Sequence, residues 1–218
     1  MIDTVKIPVP FKDIQITKPE RFGGIEQIQQ MQTCFVAGKG KLEFPNEPTS
    51  EEKQQGYFPR LSLVRRAYAI NDSFLNLYIE CSLPKILFNN NIEELKNSDF
   101  PAVITELQSK LATMGVVTSR EALENAHVQR VDYAKNFQIQ VSPKLFIYYM
   151  EKIDIDPRVG NFDRDYQNGG TGLKFHTKYY QVMIYDKMAE IEKSLRYSDG
   201  HSLTCDNYSQ RDIVARLK

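Results

Sequence analysis

The chain has 218 residues, 41% hydrophobic and 26% charged, a balance that excludes intrinsically disordered, collagen-like and low-complexity classes. No run approaches the ~20 apolar residues of a membrane span, so no membrane partner is expected. Lys+Arg and Asp+Glu stand at 28 each, so there is no global basic field, and any phosphate-binding surface has to be local.

In chain order, Val5, Ile7 and Val9 alternate with Lys6 and Pro8, which predicts an opening edge strand, since proline inside a strand favours edges. No basic segment followed by an apolar one precedes it, so no signal peptide is read there. Residues 18–60 hold Gly, Pro and charge clusters and read as a loop-rich insertion with one short strand around Lys41–Phe44. Leu61–Ile70 and Phe74–Cys81 predict two strands joined at Asn71-Asp72. In the second, Leu75, Leu77 and Ile79 face one way and Asn76, Tyr78 and Glu80 the other.

A short helix is expected over Pro84–Phe88. A longer one is expected over Asp99–Met114, where Val103, Ile104, Leu107 and Leu111 keep a 3.6 period and Gly115 is the stop. Thr118-x-x-Glu121 has the form of a capping box. Val128–Val141 reads as a long strand, and Ser142-Pro143 as the start of a helix to Ile153 with Leu145, Tyr148, Tyr149 and Lys152 on one face. After a Gly/Asp/Asn loop, Thr171–Thr177 and Tyr180–Tyr185 predict a hairpin. Asp186–Arg196 is the last helix, with Met188, Ile191 and Leu195 as its apolar stripe. Strands and helices mix without regular βαβ alternation, which gives an α+β class with a mostly antiparallel central sheet and flanking helices.

Cys34, Cys81 and Cys205 show no CxxC and no metal-type spacing, the usage of a reducing compartment. There is no Walker A loop, since Gly38-Lys39-Gly40-Lys41 lacks its frame, and no GxGxxG, HExxH or GxSxG. His127, His176 and His201 are far apart, which argues against zinc or Ser-His-Asp chemistry.

Two constellations remain. Arg130-Val131-Asp132 puts Arg130 and Asp132 on one face of a strand, where an isolated Asp is disfavoured. It is there either as an ion-pair partner of an arginine or as a functional carboxylate. In Tyr185-Asp186-Lys187-Met188-Ala189-Glu190 a strand runs into a helix, with Lys187 and Glu190 three apart. Taken alone they make a helix ion pair worth only ~0.3 kcal/mol. Lys174, Lys178, Lys187 and Lys193 form the best local basic patch. Tyr148, Tyr149, Tyr179 and Tyr180 read as core or base-stacking aromatics.

The run Asn76–Lys85, then Arg130-Val131-Asp132, then Tyr185-x-Lys187-x-x-Glu190, with the Met-Ile-Asp opening, resembles filamentous-phage replication initiators of the gene II/X type. The Gly169-Gly170-Thr171 hairpin with its Tyr-x-Lys-x-x-Glu segment is similar to the Rep proteins of Gram-positive rolling-circle plasmids. The resemblance covers nearly the whole chain. It implies one Rep-type catalytic domain over residues 1–218, of the HUH-endonuclease-like kind but lacking a His-x-His pair. Many members of the phage family continue further, so the chain reads as a catalytic fragment with a C-terminal domain missing.

The activity so implied is nicking and rejoining of a single-stranded replication origin through a 5′-phosphotyrosyl intermediate, in rolling-circle replication of a phage or plasmid. Carried over, Tyr185 is the nucleophile and Lys187 its electrostatic aid. Asp132, Glu190 and, more weakly, Glu80 are hard-oxygen ligands for Mg²⁺ or Mn²⁺, and Arg130, Lys174, His176 and Lys178 are DNA-binding residues. His176 either completes the metal site or is solvated. The expected partner is single-stranded or supercoiled origin DNA, with host helicase and polymerase beyond it, in the host-cell cytoplasm. The alternatives are a non-catalytic single-stranded-DNA or origin-binding protein on the same scaffold, and a conjugative or transposase-type nickase.

Overall fold

The computed structural model describes residues 1–33, 40–69, 72–153, 163–167, 171–176 and 181–191, and these fall into two compact units divided at residue 135. The class is the expected one, α+β with an antiparallel central sheet and flanking helices.

The first unit is built on a sheet in the order β3 (Gly40–Asn46), β4 (Arg60–Ala69), β5 (Asp72–Ser82), β1 (Ile2–Pro10) and β7 (Arg130–Tyr133), every pair antiparallel. Period-2 alternation sends Val5, Ile7, Val9, Leu61, Leu63, Leu77, Ile79 and Cys81 to the inner face, where all are buried. Two helices, α3 (Leu83–Phe88) and α4 (Phe100–Thr113), bury Ile86 and the stripe Val103, Ile104, Leu107, Leu111 in the same core. A small sheet of β2 (Ile14–Ile16) and β6 (Val116–Thr118) closes it. Gly115, at φ +85°, lets the chain reverse after α4, and a Cβ there would collide with Lys18.

Several expectations are corrected. The opening strand is not simply an edge, because β1 lies between β5 and β7 over Ile2–Lys6. The proline argument still holds locally. Lys6 turns its carbonyl toward β7, where the Gln129 N–H donates to it at 2.9 Å. Backbone groups alternate sides, so the absent donors of Pro8 and Pro10 also face that side, beyond the end of β7, and the ladder to β5 is untouched.

The segment read as a loop-rich insertion holds α1 (Ile25–Thr33) and α2 (Ser50–Gln55) as well as β3. A capping box starts α2: the Thr49 hydroxyl accepts from the Glu52 N–H at 3.2 Å, and Glu52 accepts from the Thr49 N–H at 2.7 Å. Glu52 also takes a two-pronged hydrogen bond from Arg21, at 3.0 and 3.0 Å. At 120–124 the cap of α5 (Arg120–Glu124) is Ser119, which accepts from the Ala122 N–H. Thr118 donates its hydroxyl to the Asp13 carbonyl instead. The long strand predicted at Val128–Val141 is four residues, because β7 can extend only as far as β1 pairs with it. The last ladder contacts join Ala134 and Met1.

The second unit has β8 (Asp163–Gln167), β9 (Gly172–His176) and β10 (Gln181–Tyr185) in the order β10-β9-β8, antiparallel, with α6 (Pro143–Glu151) against it. The hairpin is as expected, and β8 is an addition. Ile147 is enclosed with Leu173 and Phe175, while Leu145, Tyr148 and Tyr149 are exposed. The chain is helical again over 187–191, with Ile191 buried. Leu195 of the predicted stripe lies outside the described residues.

Candidate functional site

On the outer face of the first unit's sheet, register places Glu80 of β5 opposite Lys6 of β1, and Lys6 opposite Arg130 of β7. Direct opposition of a carboxylate and an ammonium is a favourable cross-strand pair. Lys6 Nζ lies 3.5 Å from one Glu80 oxygen, and Arg130 Nη2 lies 3.5 Å from the other. Arg130 also donates from Nε and Nη2 to both Asp132 oxygens, at 3.1 and 3.0 Å, a forked pair between residues two apart on one strand face. The hydrogen bonds that Arg130 donates to Asp132, aided by the charges of Asp132 and Glu80, raise the Arg130 pKa, so the guanidinium is a permanent cation. Arg130 and Asp132 are each about half exposed, so the pair contributes little to stability. Solvent and ligand can reach it.

Beside Glu80 and Arg130 a polar cleft of about 500 Å³ opens, lined also by Asp3, Tyr57, Arg60 and Lys85. Its floor is rigid. The Ser82 N–H donates to the Tyr57 hydroxyl at 2.8 Å, and burial pushes the Tyr57 phenol well above its usual value. That hydroxyl is therefore a structural acceptor.

The other candidates belong to the second unit. Register sets Tyr185 opposite Gly172, Met183 opposite Lys174 and Gln181 opposite His176. Leu173, Phe175 and Ile184 occupy the core face, so Tyr185, Lys174 and His176 share the outer one. Tyr185 is 42% exposed at the end of β10. The next residue, Asp186, caps the turn of helix that follows. Its side chain accepts from the Ala189 N–H at 3.0 Å and its carbonyl from the Glu190 N–H at 3.1 Å. This abrupt change from strand to helix brings Lys187 back beside Tyr185, with Nζ 5.6 Å from the ring centroid. The same Nζ donates to Glu190 at 2.7 Å. Lys178 lies outside the described residues.

Glu80, Arg130 and Asp132 thus come together in one unit, and Tyr185, Lys187 and Glu190 in the other. The sequence reading missed Lys6, which completes the first cluster. Its place between Val5 and Ile7 already puts it on the outer face, but only the β1–β5 register reveals its partner.

Among the described residues no three His, Cys, Asp or Glu groups converge as a ready cage for a metal ion. The donor chemistry of Glu80 and Asp132 nevertheless suits a hard cation. Mg²⁺ typically takes one or two carboxylates and completes its shell with water and substrate phosphate, and an ion there would have to displace the Arg130 guanidinium that now engages both. Among the described residues no helix is long and apolar enough to cross a membrane.

The sequence model of the Phage_CRI family, which describes the N-terminal part of a phage replication-associated protein, matches residues 1–209. No curated protein matches the chain, and no solved structure does.

Proposed function

The chain belongs to the Phage_CRI family of replication-associated proteins, phage initiators of rolling-circle replication, and on that premise we propose that it nicks and rejoins its single-stranded origin through Tyr185. The observation that carries this reading is the Tyr185–Lys187–Glu190 arrangement, an accessible phenol at a strand end with an ammonium held beside it.

A phenol with an ordinary pKa near 10 is a weak nucleophile at neutral pH and needs a neighbouring cation. Lys187 supplies it, and Glu190 holds the Lys187 head group in place. The Tyr185 oxygen forms a bond to the scissile phosphorus while the P–O3′ bond breaks. The phenolic proton leaves to solvent or a base, and the departing 3′ oxygen takes one up. The phosphotyrosyl bond keeps the energy of the phosphodiester, so rejoining by attack of a 3′-OH needs no ATP.

Glu80 and Asp132 would hold Mg²⁺ or Mn²⁺ in the first unit; Glu190, in the second, is a separate candidate ligand if its pair with Lys187 opens. The ion would neutralise charge developing on the phosphate oxygens. Arg130, Lys174, His176 and Lys178 contact the DNA backbone. The likeness to Gram-positive plasmid Rep proteins, a cytoplasmic location and hand-over of the free 3′-OH to host helicase and polymerase belong to the same proposal.

The test is to incubate the protein with a labelled single-stranded origin oligonucleotide and Mn²⁺, then denature. A covalent protein–DNA adduct supports the proposal, and mass spectrometry should place it on Tyr185. An oligonucleotide that is bound but intact means the protein binds the origin without cutting it.

A further inference from the structure

The same outer face of the first unit has a feature that phosphodiester chemistry does not use. Along β5, Phe74, Asn76, Tyr78 and Glu80 project from that face, since Leu77, Ile79 and Cys81 between them are buried on the other. Phe74 is 52% exposed, a large apolar ring on an otherwise polar surface. Tyr78 is half-buried and flanked by two cations, Lys6 Nζ at 5.6 Å and Arg66 Cζ at 5.7 Å from its ring centroid. Register adds Arg66 opposite Phe74 and Arg60 opposite Glu80. This part of the face therefore gathers Lys6, Lys41, Arg60, Arg66 and Arg130 around the carboxylates Glu43, Glu80 and Asp132, a local excess of cations while the whole chain is neutral.

Aromatic rings on the face of an antiparallel sheet, with cations around them, suit a ligand that has flat apolar rings and regularly spaced negative charges. An unpaired nucleic-acid strand is such a ligand, because every base offers a stacking face and every linkage a charge. Duplex DNA hides its base faces and would gain nothing from the rings. A protein partner would use the rings but, unless it were acidic, would gain nothing from the excess of cations beside them.

We propose that Phe74 and Tyr78 form a base-stacking platform for the single strand, with Lys6 and Arg66 taking the adjacent phosphates. The platform leads along β5 toward Glu80, Arg130 and the polar cleft. It rests on the reading of this chain as a handler of single-stranded DNA, and it makes these residues positioning groups outside the nicking chemistry.

The experiment is fluorescence anisotropy with a labelled oligothymidylate, which carries no origin sequence. Phe74→Ala and Tyr78→Ala should each weaken binding by ~5- to 100-fold, the range for loss of one base–aromatic stack. Tyr78→Phe should bind as the wild type does, because stacking needs the ring and not the hydroxyl. Phe100→Ala removes an exposed aromatic at the start of α4 and is the control, expected to be unchanged. Thermal melting confirms that each variant is folded. Unaltered affinity in both Phe74→Ala and Tyr78→Ala overturns the inference, as does a wild type that does not bind the oligothymidylate. Equal affinity for duplex and single strand also overturns it. Binding is read without cleavage, so a wild type that binds in this way but forms no origin adduct refutes the nicking proposal and still supports the platform.

Discussion

In the first unit Glu80 stands near the end of β5, with β4 on one side and β1 on the other, and behind it Leu77, Ile79 and Cys81 are shut in a core that α3 and α4 cover. In the second unit Tyr185 closes β10, an outer strand of its sheet, and the described core behind it is Ile147, Leu173 and Phe175 with Met150 and Ile184 at their margin. Among the described residues, one support is a large core braced by a strand on each side, and the other is a small core with a strand on one side. The difference suits two tasks. Groups that hold a phosphate or a cation gain from a fixed position. A nucleophile that must approach a phosphorus, stay bonded to it and later release it gains from a place at the end of an element.

The comparison breaks most visibly at Tyr185. Tyr185→Phe keeps the ring and removes the hydroxyl, so adduct formation on denaturing gels should fall by at least ~10⁴-fold, the scale on which a lost nucleophile is felt. Melting should be unchanged. A persisting adduct would move the nucleophile elsewhere, first to Tyr180 or Tyr179.

Asp132→Ala addresses the other unit. Mn²⁺-dependent cleavage should be lost, and stability should change by less than about 1 kcal/mol because the Arg130–Asp132 pair is exposed. A large fall in melting temperature would instead make Asp132 a structural ion-pair residue.

The two cores can be challenged separately. Leu77→Ala and Leu173→Ala each open a cavity in a fully buried site and should cost about 3 kcal/mol. Hydrogen exchange should rise first in β4 and β5 for Leu77→Ala and in β9 and β10 for Leu173→Ala. Simultaneous loss of protection in both units would show that their stabilities are coupled.

A smaller effect is expected at Glu52. Burial alone would raise its carboxyl pKa, but the Arg21 hydrogen bonds and the Thr49 N–H outweigh burial and hold it below the ordinary value. A lowered folded-state pKa gives stability that is present above the unfolded value, about 4.3, and is lost as pH falls through the folded one. Glu52→Gln should therefore cost about 2 kcal/mol at neutral pH and flatten the acid limb of the stability–pH curve. Denaturant titrations at several pH values measure both.

Much of this could be read from spacing. The alternation of Phe74–Cys81, the 3.6 period of Val103–Leu111 and the hairpin ending at Tyr185 are local signals, and the elements follow them. So do the same-face pairing of Arg130 with Asp132 and the i,i+3 pairing of Lys187 with Glu190. Contacts set by partner strands could not be read this way. The short reach of β7 depends on where β1 pairs with it, and the link from Glu80 to Arg130 crosses an intervening strand. The sequence Asp163–Gln167 has no apolar alternation to announce β8, which owes its strand form to β9. The cations around Phe74 and Tyr78 come from β1 and β4, so they emerge only from the register.

The half of β1 that β7 does not reach carries a further consequence. Toward that side the backbone from Ile7 to Pro10 turns only the groups of Pro8 and Pro10, and neither has an N–H to give. A strand from another molecule that tried to extend the sheet there would find carbonyls but no donors, and could not close a ladder. The two prolines thus withhold donors from this stretch of β1, so that stretch is a poor template for strand addition.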